Sequence, residues 1–191
     1  MVPSVPVADE RRLLPVLTEL ARKVYDVDAK ISIDIVAGGA RAVQSGSAAL
    51  TVVPMRVHFV GYRESYCRFA VIRTGTTRGE MIPVAVFSRY DCRDMRKLAE
   101  ADLNHDGVPD FVFEVSIPSN KHPAVVVEGV VYVSSSKGET YCHAPFASGI
   151  ATIYPGAPSA FPGMKTVAAA IEWEASRRGR MVLECPETVS E

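Results

Sequence analysis

The stretch KISIDIVA at residues 30–37 decides the fold class, because its apolar side chains recur at every second position. Its isoleucines alternate with Ser32 and Asp34. A strand points successive side chains to opposite faces, so this period of two is typical of a sheet with one buried and one solvated face. The stretch MRVHF at residues 55–59 has the same alternation. The sequence therefore predicts a domain built mainly from strands.

Further strand candidates are rich in β-branched and aromatic residues and are bounded by glycine, proline and serine. We expect these strands at residues 66–73, 81–88, 111–117, 124–134, 139–144, 168–175 and 180–185. Residues 165–178 also suit a helix, because their apolar side chains recur at helical spacing as well. A short helical segment is expected over residues 91–101, directly before an acidic cluster.

One amphipathic helix is predicted over residues 9–26, after an extended lead-in at residues 1–8. Leucine and alanine side chains recur there at helical spacing, and Asp9 is placed to cap the first turn. Pro15 is tolerated because it falls within the first turns. The fold class that we predict is α+β, with this helix packed on a largely antiparallel, twisted sheet of about seven to nine strands.

Length and composition fit a single domain over residues 1–191, with residues 30–185 mainly β. The chain is 48% hydrophobic and 23% charged, which excludes wholesale disorder. With 21 basic and 22 acidic residues the net charge is -1, so no nucleic-acid partner is expected. No run of about eighteen apolar residues is present, so membrane insertion is not expected either.

Four cysteines at wide spacing indicate disulfides rather than a metal site. The most economical pairing is Cys67–Cys92 with Cys142–Cys185, although four cysteines allow three pairings. Two disulfides fit a periplasmic or secreted protein. The N-terminal residues lack the pattern of a signal peptide, so we expect the leader of such a protein to be absent from this sequence. Four reduced, buried thiols in a cytoplasmic protein are the alternative.

The oxygen-rich segment ADLNHDGVPDFVFEV at residues 101–115 predicts a metal site. Counted from Asp102, its oxygen-bearing side chains fall at the first, third, fifth and ninth positions, and Gly107 allows a sharp bend. Calcium suits this set because it accepts several oxygen ligands in a flexible cage. The candidate ligands are Asp102, Asn104, Asp106, Asp110 and the backbone carbonyl of Val108. The alternative is a turn held by Asx hydrogen bonds that needs no metal.

The segment differs from an EF-hand, which requires a glutamate where Phe113 stands and a helix where a strand-like run follows. It resembles instead the DxNxDGxxD calcium loop of FG-GAP and VCBS-type repeats, in which a short apolar strand follows the loop. The match is carried by residues 102–110. It implies a structural Ca²⁺ ion that ties the loop to the next strand and is held by the five candidate ligands. Only one copy is present and no fixed-period repeat occurs, so the propeller of that family is not expected.

Catalytic patterns are sparse. Ser134 and Lys137 have SxxK spacing, but they lie in a polar turn rather than on a helix. The four histidines form no pair at metal-binding spacing. If residues 168–175 form a strand, Glu172 and Glu174 share one face, where a solvated stripe is more common than a pair of glycosidase carboxylates.

Two features are considered as contact surfaces. The loop YPGAPSAFPGM at residues 154–164 presents Tyr154 and Phe161 among prolines and glycines, and its alternative is a plain connector. Trp173 is expected in the core, although an exposed tryptophan would be a strong contact residue for a partner.

These observations predict a non-catalytic, calcium-stabilised, exported bacterial protein that acts by binding another protein. An immunity or inhibitor protein that neutralises a secreted toxin or a cell-wall enzyme would have this size and charge. The alternatives are a hydrolase whose site is assembled from distant residues, and a carbohydrate-binding or adhesive module. A concave polar pocket would favour the enzyme, a protruding apolar patch the protein binder, and an aromatic platform beside the ion the sugar binder.

Overall fold

A computed structural model describes residues 3–25, 30–63, 65–83, 92–118, 125–135, 140–152 and 161–185. Within these residues two antiparallel sheets pack face to face. One helix covers the outer face of the first sheet, and two helices cover the outer face of the second. The layers therefore follow the order helix, sheet, sheet, helices. The predicted α+β class, the antiparallel strands and the N-terminal helix are confirmed.

The first sheet contains the alternating stretch that opens the β-rich region. Its strands are β1 (Val5–Pro6), β2 (Ile31–Ile35), β3 (Arg41–Ser45), β4 (Ala48–Phe59), β5 (Ser65–Arg73) and β6 (Gly79–Pro83). The long strand β4 pairs with β3 along its first half and with β2 along its second half, on the same edge. Its other edge pairs with β5, which in turn pairs with β6. The strand β1 lies at the sheet edge against β3.

The second sheet follows in sequence and is a meander. Its strands are β7 (Asp94–Ala101), β8 (Asp110–Pro118), β9 (Val125–Ser134) and β10 (Tyr141–His143), in the spatial order β10, β9, β8, β7. The register of β7 on β8 shifts between Lys97 and Ala99, which marks a bulge. The acidic loop at residues 102–109 connects β7 to β8, so it is the turn of a β-hairpin.

Three α-helices complete the described chain: α1 (Leu14–Tyr25), α2 (Pro145–Ala151) and α3 (Met164–Arg178). A 3-10 turn at Glu10–Leu13 precedes α1. Pro15 and Pro145 occupy the first turns of α1 and α2, where a missing backbone N–H removes no helical hydrogen bond. Gly179 ends α3 with a φ of 68°, a left-handed conformation that glycine adopts without a steric penalty. No described helix is long and apolar enough to cross a membrane.

Aromatic side chains dominate the layer between the sheets. Phe69 stacks on Tyr132 with 4.6 Å between the ring centroids, and Phe111 and Phe113 pack beside them. A second cluster holds α1 on the first sheet. The third cluster holds α2 and α3 on the second sheet, and its buried members include Val112, Val131, Ala147, Ala151, Val167 and Ile171. Burial of an isoleucine or valine side chain stabilises a fold by about 1.5–3 kcal/mol, so this cluster fixes both helices.

Both disulfides of the favoured pairing are present. Cys67 is bonded to Cys92 across a Cα separation of 5.5 Å, and Cys142 is bonded to Cys185 across 4.2 Å. Next to the second bridge, the backbones of His143 and Glu184 exchange two hydrogen bonds of 2.9 Å. The second disulfide therefore ties the last described segment to the edge strand β10.

The strand count and the end of the β-rich region differ from expectation. The described residues form sheets of six and four strands instead of one sheet of about seven to nine. Residues 30–185 are not uniformly β, because the described chain beyond β10 is mainly helical. The expected strand at 81–88 is described only as far as Pro83, and residues 84–88 lie outside the described ranges.

Three local predictions were wrong, although the helix considered as the alternative for residues 165–178 is confirmed. Residues 168–175 belong to α3, and of 180–185 only Glu184 forms an isolated bridge. Residues 94–101 form β7, although we expected helical turns over 91–101. Lysine, leucine, alanine and glutamate give β7 a helical preference, but pairing with β8 outweighs that preference.

Candidate functional site

The acidic loop is organised around its own carboxylates. Asp102 accepts hydrogen bonds from the backbone N–H groups of Asp106, at 3.1 Å, and of Gly107, at 3.0 Å. Asp106 accepts a backbone hydrogen bond from Val108 at 2.8 Å and a side-chain bond from Asn104 at 3.2 Å. Gly107 has a φ of 85°, a backbone conformation that residues with a side chain rarely adopt. The loop thus brings Asp102, Asn104 and Asp106 together.

Asp110, the first residue of β8, is the buried member of the predicted ligand set. Its side chain is fully buried and accepts backbone hydrogen bonds from Leu103 at 2.7 Å, Asn104 at 3.3 Å and Ser134 at 2.8 Å. Burial raises the pKa of Asp110 to about 7, and the nearby Asp106 carboxylate adds to this rise while the backbone hydrogen bonds oppose it. A carboxyl in this environment is stabilised by a proton or by a cation.

Ser134, the last residue of β9, closes the loop from the neighbouring strand. Its hydroxyl donates to Asp106, and its hydroxyl and carbonyl oxygens each accept from the Asn104 amide at 3.1 Å. The hydroxyl is therefore engaged by the loop, and Ser134 is buried. Lys137, its partner in the SxxK spacing, lies outside the described residues. The described contacts of Ser134 are structural.

The donor set is suited to a hard cation by its chemistry. The five candidate ligands are all oxygens, and a carboxylate oxygen can accept an N–H bond and still bind a cation with its second lone pair. Asp110 indicates whether a cation would fit this site. No described lysine, arginine or histidine forms an ion pair with this buried carboxylate, so a bound cation would neutralise it. Among the described residues, no three His, Cys, Asp or Glu side chains converge as a metal-binding group. The three aspartates of the candidate set therefore do not form such a group by themselves. The other two candidate ligands are the Asn104 amide and the Val108 carbonyl.

His105 connects the acidic loop to α3. It has a φ of 60°, which places its side chain outside the loop, and its Nε2 lies 3.0 Å from Glu172 Oε1. Both side chains are more than half exposed. The hydrogen bond to Glu172 raises the pKa of His105. This contact places the loop beside the outer surface of α3.

An aromatic cluster lies on the outer surface of α2 and α3, where we expected no exposed tryptophan. Trp173 is 45% exposed. Phe146 stacks on its ring with a centroid distance of 5.2 Å and an interplanar angle of 22°, and the Arg177 guanidinium carbon lies 5.0 Å from the ring centroid. Ile150, one turn after Phe146 on α2, is 39% exposed. We name these four residues the tryptophan face.

Glu172 and Glu174 do not form a carboxylate pair. On a helix, residues two positions apart point about 200° away from each other, whereas on a strand they would share a face. Glu172 is exposed beside His105. Glu174 is 2% exposed and lies 3.7 Å from Arg178, and its second oxygen has no described hydrogen-bond partner. The glycosidase arrangement considered from sequence is therefore not formed.

A chain of hydrogen bonds joins Ser148 of α2 to His143 and Glu184, and no sequence motif pointed to it. We call these three residues the Ser–His–Glu relay. His143 Nδ1 lies 2.9 Å from Glu184 Oε2, and His143 Nε2 lies 2.9 Å from Ser148 Oγ. Because a carboxylate only accepts, we assign the ring proton to Nδ1. The single hydroxyl proton of Ser148 is then shared between His143 Nε2 and the Ala144 carbonyl, which lies 2.8 Å from Ser148 Oγ. Burial lowers the pKa of His143, and Glu184 opposes this effect.

The burial of this relay is the reverse of what nucleophilic catalysis needs. Ser148 and His143 are 7% and 1% exposed, whereas the Glu184 side chain is 55% exposed. Ser148 Oγ also accepts a hydrogen bond from the backbone N–H of Val131 at 2.9 Å. Val131 is the β9 residue next to the part of that strand that pairs with β10. A nucleophile has to reach its substrate, but this serine faces the sheet. We interpret the relay as a structural link among β9, β10, α2 and the segment around Glu184.

A described cleft of about 270 Å³ lies beside β2, β4 and β7. Its polar wall consists of Asp34, Arg56 and Asp94. Arg56 donates to Asp34 at 3.2 Å and to the Arg93 carbonyl, and His58 lies 2.8 Å from the same Asp34 oxygen. Arg56 and His58 thus bond the same carboxylate, and the described lining of the cleft contains no serine, threonine, cysteine or lysine nucleophile.

The proline-rich loop contributes little to the described surface. Phe161 packs against the third apolar cluster instead of projecting outward. Tyr154 of this loop lies outside the described residues. His122, which precedes β9, does so as well. The tryptophan face is therefore a candidate contact surface among the described residues, and the helix that carries Trp173 also contacts the acidic loop.

The chain was also compared with known proteins. No protein-family model matches it, and no curated protein or solved structure matches it either.

Proposed function

We propose that this protein is a non-catalytic, calcium-stabilised, exported protein that acts by binding another protein through the tryptophan face. The observation that carries the proposal is the state of Trp173, which is half exposed yet already packed against Phe146 and Arg177. Tryptophan and arginine are the residues most enriched among those that dominate binding energies. Because the ring is held in place before binding, little side-chain entropy remains to be lost.

The same contacts favour a protein partner over a sugar. A carbohydrate platform needs an open aromatic face, but a phenyl ring and a guanidinium already stack on the indole. The exposed part of the cluster combines the indole with the Ile150 side chain on the neighbouring helix. An exposed apolar patch with aromatic side chains is typical of protein contacts.

The acidic loop has a supporting role in this proposal. Asp102, Asn104, Asp106, Asp110 and the Val108 carbonyl would hold one Ca²⁺ ion, as the resemblance to FG-GAP and VCBS-type loops implies. The ion would neutralise the buried Asp110 carboxylate and fix the turn between β7 and β8. Since His105 of this loop contacts Glu172, an ordered loop also supports α3 next to Trp173.

The expected location of the protein agrees with the kind of partner that we propose. Two disulfides fit an extracellular or periplasmic location, where calcium is abundant enough to occupy even a weak site. An exported bacterial binding protein without a catalytic site matches an immunity or inhibitor protein. Its partner would then be a secreted toxin or a cell-wall enzyme.

The experiment is a capture assay with a matched pair of aromatic variants. Wild type, Trp173→Ala and Tyr62→Ala are immobilised at equal density and exposed to bacterial envelope and culture proteins in calcium buffer. Tyr62 is 69% exposed and lies after β4 in the first sheet, away from α2 and α3, so it controls for general aromatic stickiness. We expect a protein that wild type and Tyr62→Ala retain and Trp173→Ala releases. Equal retention by all three variants would contradict the proposal.

The hydrolase alternative now rests on the Ser148, His143 and Glu184 relay. The two 2.9 Å contacts match the order nucleophile, base, acid. The buried serine and its bond to Val131 favour the structural interpretation, and reaction with a serine-directed probe separates the two.

A further inference from the structure

We propose that the partner of the tryptophan face is an acidic protein surface that presents an apolar side chain at its centre. This inference rests on the proposed function, because it names the chemistry of the partner for the same face. Its evidence is the charge at the C-terminal end of α3, of which the binding proposal used only the packing of Arg177 on Trp173.

Three arginines cluster at that end of the helix. Arg177, Arg178 and Arg180 are all exposed. Arg178 lies 3.7 Å from Glu174, whose own carboxylate is 2% exposed. Within the described ranges, neither Arg177 nor Arg180 has an acidic group within ion-pair distance. Arg177 beside the indole, and Arg180 just beyond the end of α3, thus have no described carboxylate partner.

The helix end accounts for part of this charge but not for its position. Basic side chains in the last turn offset the partial negative charge of the helix C-terminus. Arg177, however, lies over the ring of Trp173, one helical turn before it, so its guanidinium sits beside the indole. Its guanidinium therefore forms part of the contact surface, and it offers a planar, bidentate donor for a carboxylate.

The apolar part of the surface is formed by two side chains of α2 and by Trp173 of α3. Phe146 and Ile150 are one turn apart on α2 and share a face of that helix, and Phe146 reaches across to Trp173. A partner that covers this surface buries the apolar side chains at the centre and the arginines at the rim. Rim charges of this kind act mainly on association rate and partner choice.

The charges around the face favour an acidic protein over a nucleic acid. The basic cluster is short, and Glu172 next to Trp173 and the Asp102 and Asp106 carboxylates of the neighbouring loop would repel an extended polyanion. The overall charge of -1 gives no long-range attraction for nucleic acid either. A folded surface can place a few carboxylates opposite the arginines and avoid the acidic loop.

The test is a selection from a random peptide display library on the full chain in calcium buffer, with counter-selection on Trp173→Ala. Selected peptides are then measured by fluorescence, because Trp173 is the only tryptophan and reports on this face alone. Two variants carry the charge test. Arg180→Gln removes a charge at the C-terminal end of α3, and Arg11→Gln removes an exposed charge before α1, so both change the net charge equally.

We expect the selected peptides to combine aspartate or glutamate with an aromatic or aliphatic residue. Their affinity should fall roughly two- to fivefold on Arg180→Gln, the range of an exposed ion pair, and stay unchanged on Arg11→Gln. Added salt should weaken binding and reduce the difference between the variants. Peptides that need Trp173 but carry no acidic residues, or acidic peptides that ignore Arg180→Gln, would overturn the acidic partner and leave protein binding intact. Failure to select any Trp173-dependent peptide would count against both proposals.

Discussion

His105 and Glu172, 67 positions apart in the chain, meet at 3.0 Å and join the acidic loop to α3. The two side chains are exposed, so their contact adds little stability. Its importance is positional, because Glu172 precedes Trp173 and His105 lies between two candidate calcium ligands. Both features on which our functional proposal depends therefore contact or belong to α3, although successive residues of a helix point about 100° apart.

The first prediction concerns this contact. The hydrogen bond to Glu172 raises the pKa of His105, so Glu172→Gln should return the pKa of His105 toward its ordinary value. NMR titration of the imidazole in metal-free protein measures the change. Glu19→Gln is the control, since Glu19 is also exposed but pairs with Arg22 on α1. An unchanged His105 titration in Glu172→Gln would show that the contact does not form in solution.

The second prediction concerns pH and His143. Burial lowers the pKa of His143 in the folded protein, whereas the unfolded chain has the ordinary value near 6.5. As the pH falls through about 6.5, the unfolded chain gains a proton that the folded protein accepts only at lower pH, so the free energy of unfolding decreases. Above that pH the contribution is complete.

Urea unfolding of wild type and His143→Gln between about pH 7.5 and pH 5.5 measures this slope. The drop in stability should be smaller in His143→Gln than in wild type, whatever the stability of the variant at neutral pH. Parallel pH profiles for the two proteins would mean that His143 titrates normally when folded.

The third prediction separates structure from catalysis at Ser148. Ser148→Ala leaves the Val131 N–H and His143 Nε2 without a partner in a buried site, which should lower the free energy of unfolding by about 1–3 kcal/mol. Ser176→Ala should cost much less, because Ser176 is exposed and bonds only the Trp173 carbonyl of its own helix. A fluorophosphonate probe should leave Ser148 unmodified. Covalent labelling of Ser148 that requires His143 would instead support the hydrolase.

The fourth prediction uses two glycines that contact or belong to α2. A Cβ at Gly129 would collide with the backbone of Ala151, so Gly129→Ala should displace α2 and cost about 1–3 kcal/mol. A Cβ at Gly149 would meet no atom within 4 Å, so Gly149→Ala should be neutral or stabilise the helix by up to about 1 kcal/mol. Chemical denaturation of both variants checks the pair. Equal stabilities would show that α2 does not pack tightly on β9.

Sequence periodicity correctly predicted those helices and strands that have one buried face and one solvated face. The alternation at residues 30–37 correctly gave β2, and the leucines before Tyr25 gave α1. The cysteine spacing gave both disulfides, because nearby cysteines close the shortest loops. Periodicity fails for α3, whose small and apolar residues suit a strand and a helix equally well. It also fails for β7, where pairing with β8 decides the conformation.

The candidate site was only partly accessible from sequence. The loop residues are close in the chain, so their grouping could be read from spacing alone. Trp173 meets Phe146 only after α2 and α3 fold onto the second sheet, and no local pattern encodes that contact. The same holds for His143, Ser148 and Glu184, which the second disulfide and the isolated bridge bring together.

The calcium-stabilised, exported character that our account gives this protein depends on whether the acidic loop binds calcium. Calorimetric titration of Ca²⁺ into metal-free protein, together with thermal unfolding, measures this for wild type, Asp106→Asn and Asp94→Asn. Asp106→Asn keeps an oxygen for the Val108 N–H but loses a charge at the loop, whereas Asp94 is an exposed aspartate at the start of β7.

An ion that binds only the folded state raises the melting temperature. We predict one ion per chain and a rise in melting temperature for wild type and Asp94→Asn, with both effects lost or much weakened in Asp106→Asn. Metal-free wild type that takes up no calcium and melts at the same temperature in calcium and in chelator would contradict the account, and the loop would then be a turn held by its own hydrogen bonds.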